Sequence, residues 1–148
     1  MADAVRRRGR GAGGTELIDP ASGERIAVPA EANELVDCSA RWCRVRVLRS
    51  RGVLWQDVMR PDGSNRRRVV TGGETEPAVY DVAVRGRYEL LATPMGSGST
   101  LVAYDAVKRR QIKLADGAGT VLCRGSYAWW SSGTNDALSW HVTDLTAL

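Results

Sequence analysis

The stretch Leu35 to Val70, LVDCSARWCRVRVLRSRGVLWQDVMRPDGSNRRRVV, decides the fold class. It contains short runs rich in Val, Leu and Trp, separated by turn-forming residues such as Arg60-Pro61-Asp62-Gly63-Ser64. From Leu35 onward no window of twelve residues keeps apolar side chains at helical spacing, so these runs predict β-strands. Glycine and proline supply the backbone angles that the intervening turns need. The predicted strands here are Leu35–Cys38, Trp42–Leu48, Val53–Met59 and Arg66–Val70.

This pattern recurs along the chain. Corners centred on Asp19, Arg60, Asp105 and Asp144 stand 41, 45 and 39 residues apart, and the first three are each followed by a basic and then apolar strand. A second marker repeats in the same register: Cys38-x3-Trp42, Val84-x3-Tyr88 and Cys123-x3-Tyr127. A period of about 42 residues with four short strands is typical of a β-propeller blade.

We therefore predict an all-β, partial β-propeller of about three blades, each a four-stranded antiparallel sheet. The blade pieces are residues 15–29, 34–70, 78–115 and 119–148. The remaining predicted strands are Thr15–Ile18, Glu24–Val28, Val79–Val84, Tyr88–Thr93, Thr100–Tyr104, Arg109–Leu114, Thr120–Cys123, Tyr127–Ser131 and Ala137–Thr143.

The blade count raises a question of completeness. The sequence supplies two full blades, half of a third and three quarters of a fourth. A closed ring needs about four complete blades, so this chain falls short of one. Unpaired strand edges would then face water and other chains. Three alternatives fit: a C-terminal fragment or short reading frame of a longer propeller, an obligate homodimer that closes the ring, or a closed or sandwich-like monomer.

Composition excludes several functional classes. The 148 residues include one His, three Cys and no run near the roughly 18 apolar residues of a membrane span. The lone His141 and the cysteine spacing do not suit a zinc site. No Walker A or G-x-G-x-x-G sequence is present, so we expect no metal and no cofactor. His141 lacks a G-x-S-x-G partner, and we interpret it as a strand-face residue rather than a catalytic one.

Several segments resemble the TolB-like propeller proteins of high-GC Gram-positive bacteria. The similarity covers residue 15 to the end and rests on residues 38–45 and 60–64, on Tyr127-Ala128-Trp129-Trp130-Ser131-Ser132, and on residues 138–145. Members of this group are longer, begin with a signal peptide or membrane anchor, and mostly have no assigned function. The resemblance implies an exported or envelope-associated parent, whereas this sequence as it stands shows no signal peptide and would be cytoplasmic.

The spacing of Cys38 and Cys43 raises the question of whether they form a disulfide. If Ala40-Arg41 forms a two-residue turn, Cys38 faces Cys43 in a non-hydrogen-bonded pair, with Cα atoms about 4.5 Å apart. That distance allows a disulfide, which would suit an oxidising compartment. The alternative is that both are small buried strand residues, which fits Cys123 at the position equivalent to Cys38.

The basic segments favour solvation over nucleic-acid recognition. Residues 1–14, which include Arg6-Arg7-Arg8-Gly9-Arg10, are expected to form a disordered basic arm. The runs Arg66–Arg68 and Lys108–Arg110 fall at the outer strand of each predicted blade, where charge protects a sheet edge from other chains. We expect no specific nucleic-acid partner.

Three tryptophans are the candidate binding residues: Trp129, Trp130 and Trp140. Lectin-like propellers stack sugar rings on Trp, but consecutive strand residues point to opposite faces, and core packing is the favoured interpretation. Asp57, Asp62, Asp105 and Asp144 sit at strand ends or turns and do not predict a hydrolytic cluster. We expect a non-enzymatic scaffold or protein-interaction module with a protein partner, and weigh against it a carbohydrate-binding propeller and, less favoured, a hydrolase-like one.

Overall fold

A computed structural model describes residues 15–148, so the predicted basic arm of residues 1–14 lies outside the described residues. The described chain is all-β, with thirteen strands in four antiparallel sheets. It divides after Gly73 into two compact units. This confirms the predicted all-β class.

Unit 1 contains a hairpin and a four-stranded meander. The hairpin is β1 (Thr15–Ile18) with β2 (Arg25–Val28), and the meander runs in the order β3 (Glu34–Cys38), β4 (Cys43–Arg49), β5 (Gly52–Met59) and β6 (Arg67–Thr71). Alternation along these strands places one set of side chains inside. The buried core of this unit is Val28, Cys43, Val45, Val47 and Met59.

Unit 2 contains two sheets. In the first, β7 (Glu76–Pro77), β8 (Tyr88–Met95), β9 (Gly98–Asp105) and β10 (Arg110–Ala118) pair as neighbours in that order; in the second, β11 (Val121–Arg124), β12 (Tyr127–Thr134) and β13 (Ala137–Asp144) do the same. A 3-10 turn, Leu145–Ala147, follows β13. Buried side chains from both sheets form one cluster: Val84, Tyr88, Leu90, Ala103, Ala128 and Leu145.

The predicted strand Val79–Val84 is wrong. Strand β7 ends at Pro77, residues 78–83 form a series of bends, and the backbone has positive φ at Ala83 and Arg85. The buried Glu89 carboxylate accepts a hydrogen bond from the Ala83 N–H at 2.9 Å, which holds this bend. The Val84-x3-Tyr88 marker persists only as an isolated bridge between these two residues.

The repeated acidic corners have a structural cause. Each carboxylate accepts backbone N–H groups of the turn that follows: Asp19 from Ala21, Asp105 from Val107 and Lys108, and Asp144 from Thr146. These Asx-type bonds fix the turn and favour the ionised carboxylate. The aspartates at three of the four corners therefore mark the same kind of turn.

Candidate interaction surface

The β11–β13 sheet has one packed face and one open face. In register, Leu122 pairs with Trp129 and Trp129 with Val142, so these three side chains form a row on one face. The next residues along β12, Ala128 and Trp130, point to the opposite face and are buried in the core of unit 2. The sheet therefore separates a core side from a surface side.

The surface side is apolar. Besides the partly buried Trp129, five of its side chains are between 43% and 67% exposed. We call this set the apolar face: Leu122, Tyr127, Trp129, Leu138, Trp140 and Val142. Its exposed area is on the order of 500 Å², at 150–250 Å² for a whole aromatic side chain. Apolar patches of this size on a folded protein commonly mark interaction sites.

The three candidate tryptophans do not form one site. Trp129 and Trp140 lie on the apolar face, whereas Trp130 is 8% exposed and points to the core. The expectation that all three pack in a core is wrong for Trp140, which is 51% exposed. That expectation assumed that a neighbouring sheet packs on both faces of the strand, whereas Leu138, Trp140 and Val142 of β13 are each at least half exposed.

Sequence reasoning missed the aliphatic members of the apolar face. Leu138, Trp140 and Val142 alternate with Ser139 and His141, a period of two that places the apolar side chains on one side of a strand. Leu122 and Tyr127 join them only through pairing register. The alternation was visible in the sequence, but which side faces solvent depends on tertiary packing.

His141 takes part in a cross-strand contact on the other side of β13. Its Nε2 lies 2.7 Å from the Ser132 hydroxyl, and its ring stacks on Trp130 at 5.7 Å between centroids. Within residues 15–148 no carboxylate is bonded to His141, so the pair lacks the orienting acid of a hydrolytic triad.

Unit 1 holds the cysteine pair. Cys38 and Cys43 face each other across β3 and β4 and form a disulfide, with Cα atoms 4.0 Å apart. Trp42 sits beside this pair and stacks under the Arg60 guanidinium at 4.2 Å. Cys123, in unit 2, is a free thiol whose pKa burial raises to about 11, with a further contribution from Asp81. Such a thiol is a poor nucleophile near neutral pH.

Unit 1 also contains an ion-pair network centred on Arg66. Arg66 bonds Glu34 at 2.5 Å and Asp57 at 2.8 Å. Burial alone would raise the pKa of Glu34, but the Arg66 bond and a backbone N–H lower it overall. A cavity of about 170 Å³ opens beside Glu34, Arg66 and Met59. It is smaller than the 300–1,000 Å³ of ordinary small-molecule sites.

The described residues hold neither a cluster of metal ligands nor a membrane-spanning helix. Among residues 15–148 no group of three or more His, Cys, Asp or Glu side chains is placed to hold a metal ion. In the same part of the chain no helix has the length and apolar character needed to cross a bilayer.

Comparisons with known proteins address the fold. No family model matches the sequence, and no curated protein matches it either. Among solved structures the chain is similar to TolB from Acinetobacter baumannii, with a TM-score of 0.51 and 12% identity over 90% of this chain. The chain has a TolB-like β-propeller fold. It spans 35% of the TolB chain, so its sheets form a partial propeller, as predicted.

Proposed function

We propose that this chain is a non-enzymatic propeller scaffold that binds a protein partner through the apolar face. The observation that supports this is the row Leu122, Trp129 and Val142, flanked by the half-exposed Trp140 and Tyr127. Burial of this area would supply a hydrophobic interface core rich in Trp and Tyr, the residues enriched at binding hot spots.

The placement of the carboxylates favours a scaffold over a hydrolase. Asp57 pairs with Arg66, Asp105 with Arg87, and Asp144 accepts from Thr146. Each of these acids is engaged in an ion pair or a turn of its own, which supports a scaffold role. A general acid–base pair needs two such groups within reach of one substrate.

A carbohydrate partner is the second candidate, because the exposed Trp140 indole could stack on a sugar ring. Its neighbours along β13 on the same face are Leu138 and Val142, whose side chains offer no hydrogen bonds to sugar hydroxyls, and Ser131, opposite Trp140, is buried. Ligand sites for polar molecules normally add placed polar groups to the apolar lining. We therefore rank a protein partner first.

We also propose descent from the TolB-like proteins of high-GC Gram-positive bacteria. The composition supports this: the chain has 19 arginines and two lysines, the bias expected of a GC-rich coding sequence.

Site-specific photo-crosslinking tests the proposed function. A photoreactive amino acid at Val142 or Tyr127 should give the same discrete adduct with a protein other than this chain in cells, and one at Ile26, an exposed apolar residue of β2, should give none. The adduct should disappear in a Leu122→Lys background. Absence of a position-specific adduct, together with saturable quenching of tryptophan fluorescence by a sugar, would favour the carbohydrate alternative and overturn the proposal.

A further inference from the structure

The outer strands of the sheets differ in how they are protected against pairing. Strand β6 carries Arg67 and Arg68 and has a register shift within its ladder with β5. Strand β10 carries Arg110 and Lys113 and has two register shifts against β9. Charges and bulges are the usual devices that keep an exposed sheet edge from pairing with another chain.

Strand β13 has neither device. Ala137 to Thr143 contains no Arg, Lys or Pro, and all eight residues of β13 pair with β12 in an unbroken register. It is the terminal strand of its sheet within residues 15–148. A long edge strand with an unbroken register and no protecting charge favours strand addition.

The register shows which backbone groups of β13 face outward. The Leu145 N–H donates to the Ser126 carbonyl, and this pair continues the β12–β13 register. Hydrogen-bonded and non-hydrogen-bonded pairs alternate in an antiparallel ladder. The odd-numbered residues of β13 therefore bond to β12, and the N–H and C=O groups of Leu138, Trp140 and Val142 point to the open edge.

These three residues are complementary to themselves. If a second β13 lies antiparallel with Trp140 opposite Trp140, then Leu138 falls opposite Val142 and Ser139 opposite His141. Every outward backbone group then meets an outward group, and every apolar side chain meets an apolar one. Shifting the register by two residues in either direction places an aspartate, Asp136 or Asp144, opposite an apolar residue.

We propose that two copies of this chain pair antiparallel through β13, centred on Trp140, into one six-stranded sheet. Asp136 and Asp144 face each other at the two ends and confine the pairing to Leu138–Val142, because like charges opposite each other are unfavourable. The interface is isologous, so it closes at two copies.

Stacking of one copy's first sheet on the other's last sheet is disfavoured. The hairpin face that carries the Glu16–Arg25 ion pair would bring these charges against Trp140 and Val142 in such a stack. Charged groups buried against an apolar surface lose hydration without compensation. Edge pairing leaves this polar face in solvent.

The proposal is independent of the protein partner assigned to the apolar face, since edge pairing uses backbone groups. It places two apolar faces side by side on one surface. A dimer without any partner adduct would refute only the proposed function, and a monomer with an adduct would refute only this inference.

Light scattering on the full chain gives the first test. We expect a monodisperse species of twice the 16.1 kDa chain mass. Val142→Pro removes one outward N–H and none that bonds β12, a substitution that edge strands accept, and should give a monomer. Leu122→Asn changes the apolar face away from the edge and should remain a dimer. A wild-type monomer at all concentrations, or a polydisperse aggregate, would overturn the proposal.

Cysteine trapping tests the register without relying on the proline variant. In a Cys123→Ser background, Trp140→Cys places two thiols on Cα atoms about 5.5 Å apart, within disulfide range. The matched control, Val142→Cys, separates its two thiols by four residues, about 13 Å. We expect a covalent dimer for Trp140→Cys and at least tenfold less for Val142→Cys. Equal cross-linking of the two variants, or none for Trp140→Cys, would contradict the pairing.

Discussion

Replacement of Asp105 by Asn should destabilise unit 2 strongly and in a pH-dependent manner. Asp105 ends β9 and is fully buried. Its carboxylate accepts two bonds from the Arg87 guanidinium, at 3.0 and 2.7 Å, and two from the Val107 and Lys108 N–H groups. Burial would raise the pKa of Asp105, but these four donors lower it from 3.8 to about 2.

The lowered pKa of Asp105 sets how much the ionised carboxylate contributes to folding stability, and how that contribution changes with pH. The lowering of the Asp105 pKa from 3.8 to about 2 corresponds to roughly 2–3 kcal/mol of folding stability. Because the folded-state pKa is lowered, the contribution is present above pH about 4 and is lost as the pH falls through about 2. Asp105→Asn leaves the Arg87 guanidinium without its counter-charge, and we expect a loss of about 3 kcal/mol at pH 7.

Urea unfolding of both proteins at a series of pH values, at fixed protein concentration, provides the assay. The free energies of unfolding of wild type and Asp105→Asn should differ by about 3 kcal/mol at pH 7, and the difference should shrink below about pH 4 and disappear below about pH 2. Asp116→Asn, which removes an exposed ion pair with Lys113, is the matched control and should cost under about 1 kcal/mol. A difference that stays constant from pH 7 to pH 2.5 would refute the electrostatic reasoning.

Three further predictions concern packing, backbone and thiols. Leu90→Ala removes a fully buried side chain from the core of unit 2 and should lower the free energy of unfolding by about 2–5 kcal/mol in urea; a loss below 1 kcal/mol would mean that this core is not closely packed. Gly133→Ala should lower the melting temperature, since Gly133 has φ +95° and a Cβ there would collide with the Ala137 carbonyl oxygen; an unchanged melting temperature would contradict this. Mass spectrometry after alkylation of the denatured, unreduced protein should find one labelled cysteine, and after reduction it should find three. In the native protein Cys123 should react slowly at pH 8. Rapid labelling of the native protein would show that Cys123 is exposed.

The strands of the β3–β6 sheet were predictable because local signals agreed there. Alternating apolar residues, the Ala40-Arg41 turn and the Pro61-Asp62-Gly63 corner all favour the same meander. No end of these four strands differs from its predicted position by more than one residue. The short turn also placed Cys38 opposite Cys43. Where turn chemistry and periodicity coincide, a single sequence specifies strand order and pairing.

The errors arise where long-range contacts decide. Val79–Val84 has the composition of a strand, but the bond from the Ala83 N–H to Glu89 bends the chain away from β8. No local signal indicates that bond. The exposure of Trp140 likewise depends on what lies against β13, which strand alternation alone does not determine. The sequence therefore pointed to Trp129 and Trp140 of the apolar face, but not to the other residues that belong to it.

Amide hydrogen exchange along β13 tests the central claim, that β13 is an open sheet edge in a partial propeller, most directly. At low protein concentration the amides of Ser139, His141 and Thr143, bonded to β12, should exchange slowly, whereas those of Leu138, Trp140 and Val142 should exchange fast. Raising the concentration should slow the second set as copies pair. Slow exchange at Leu138, Trp140 and Val142 with fast exchange at Ser139, His141 and Thr143 would contradict the assigned open edge. Equal protection of all six amides at every concentration would contradict it as well.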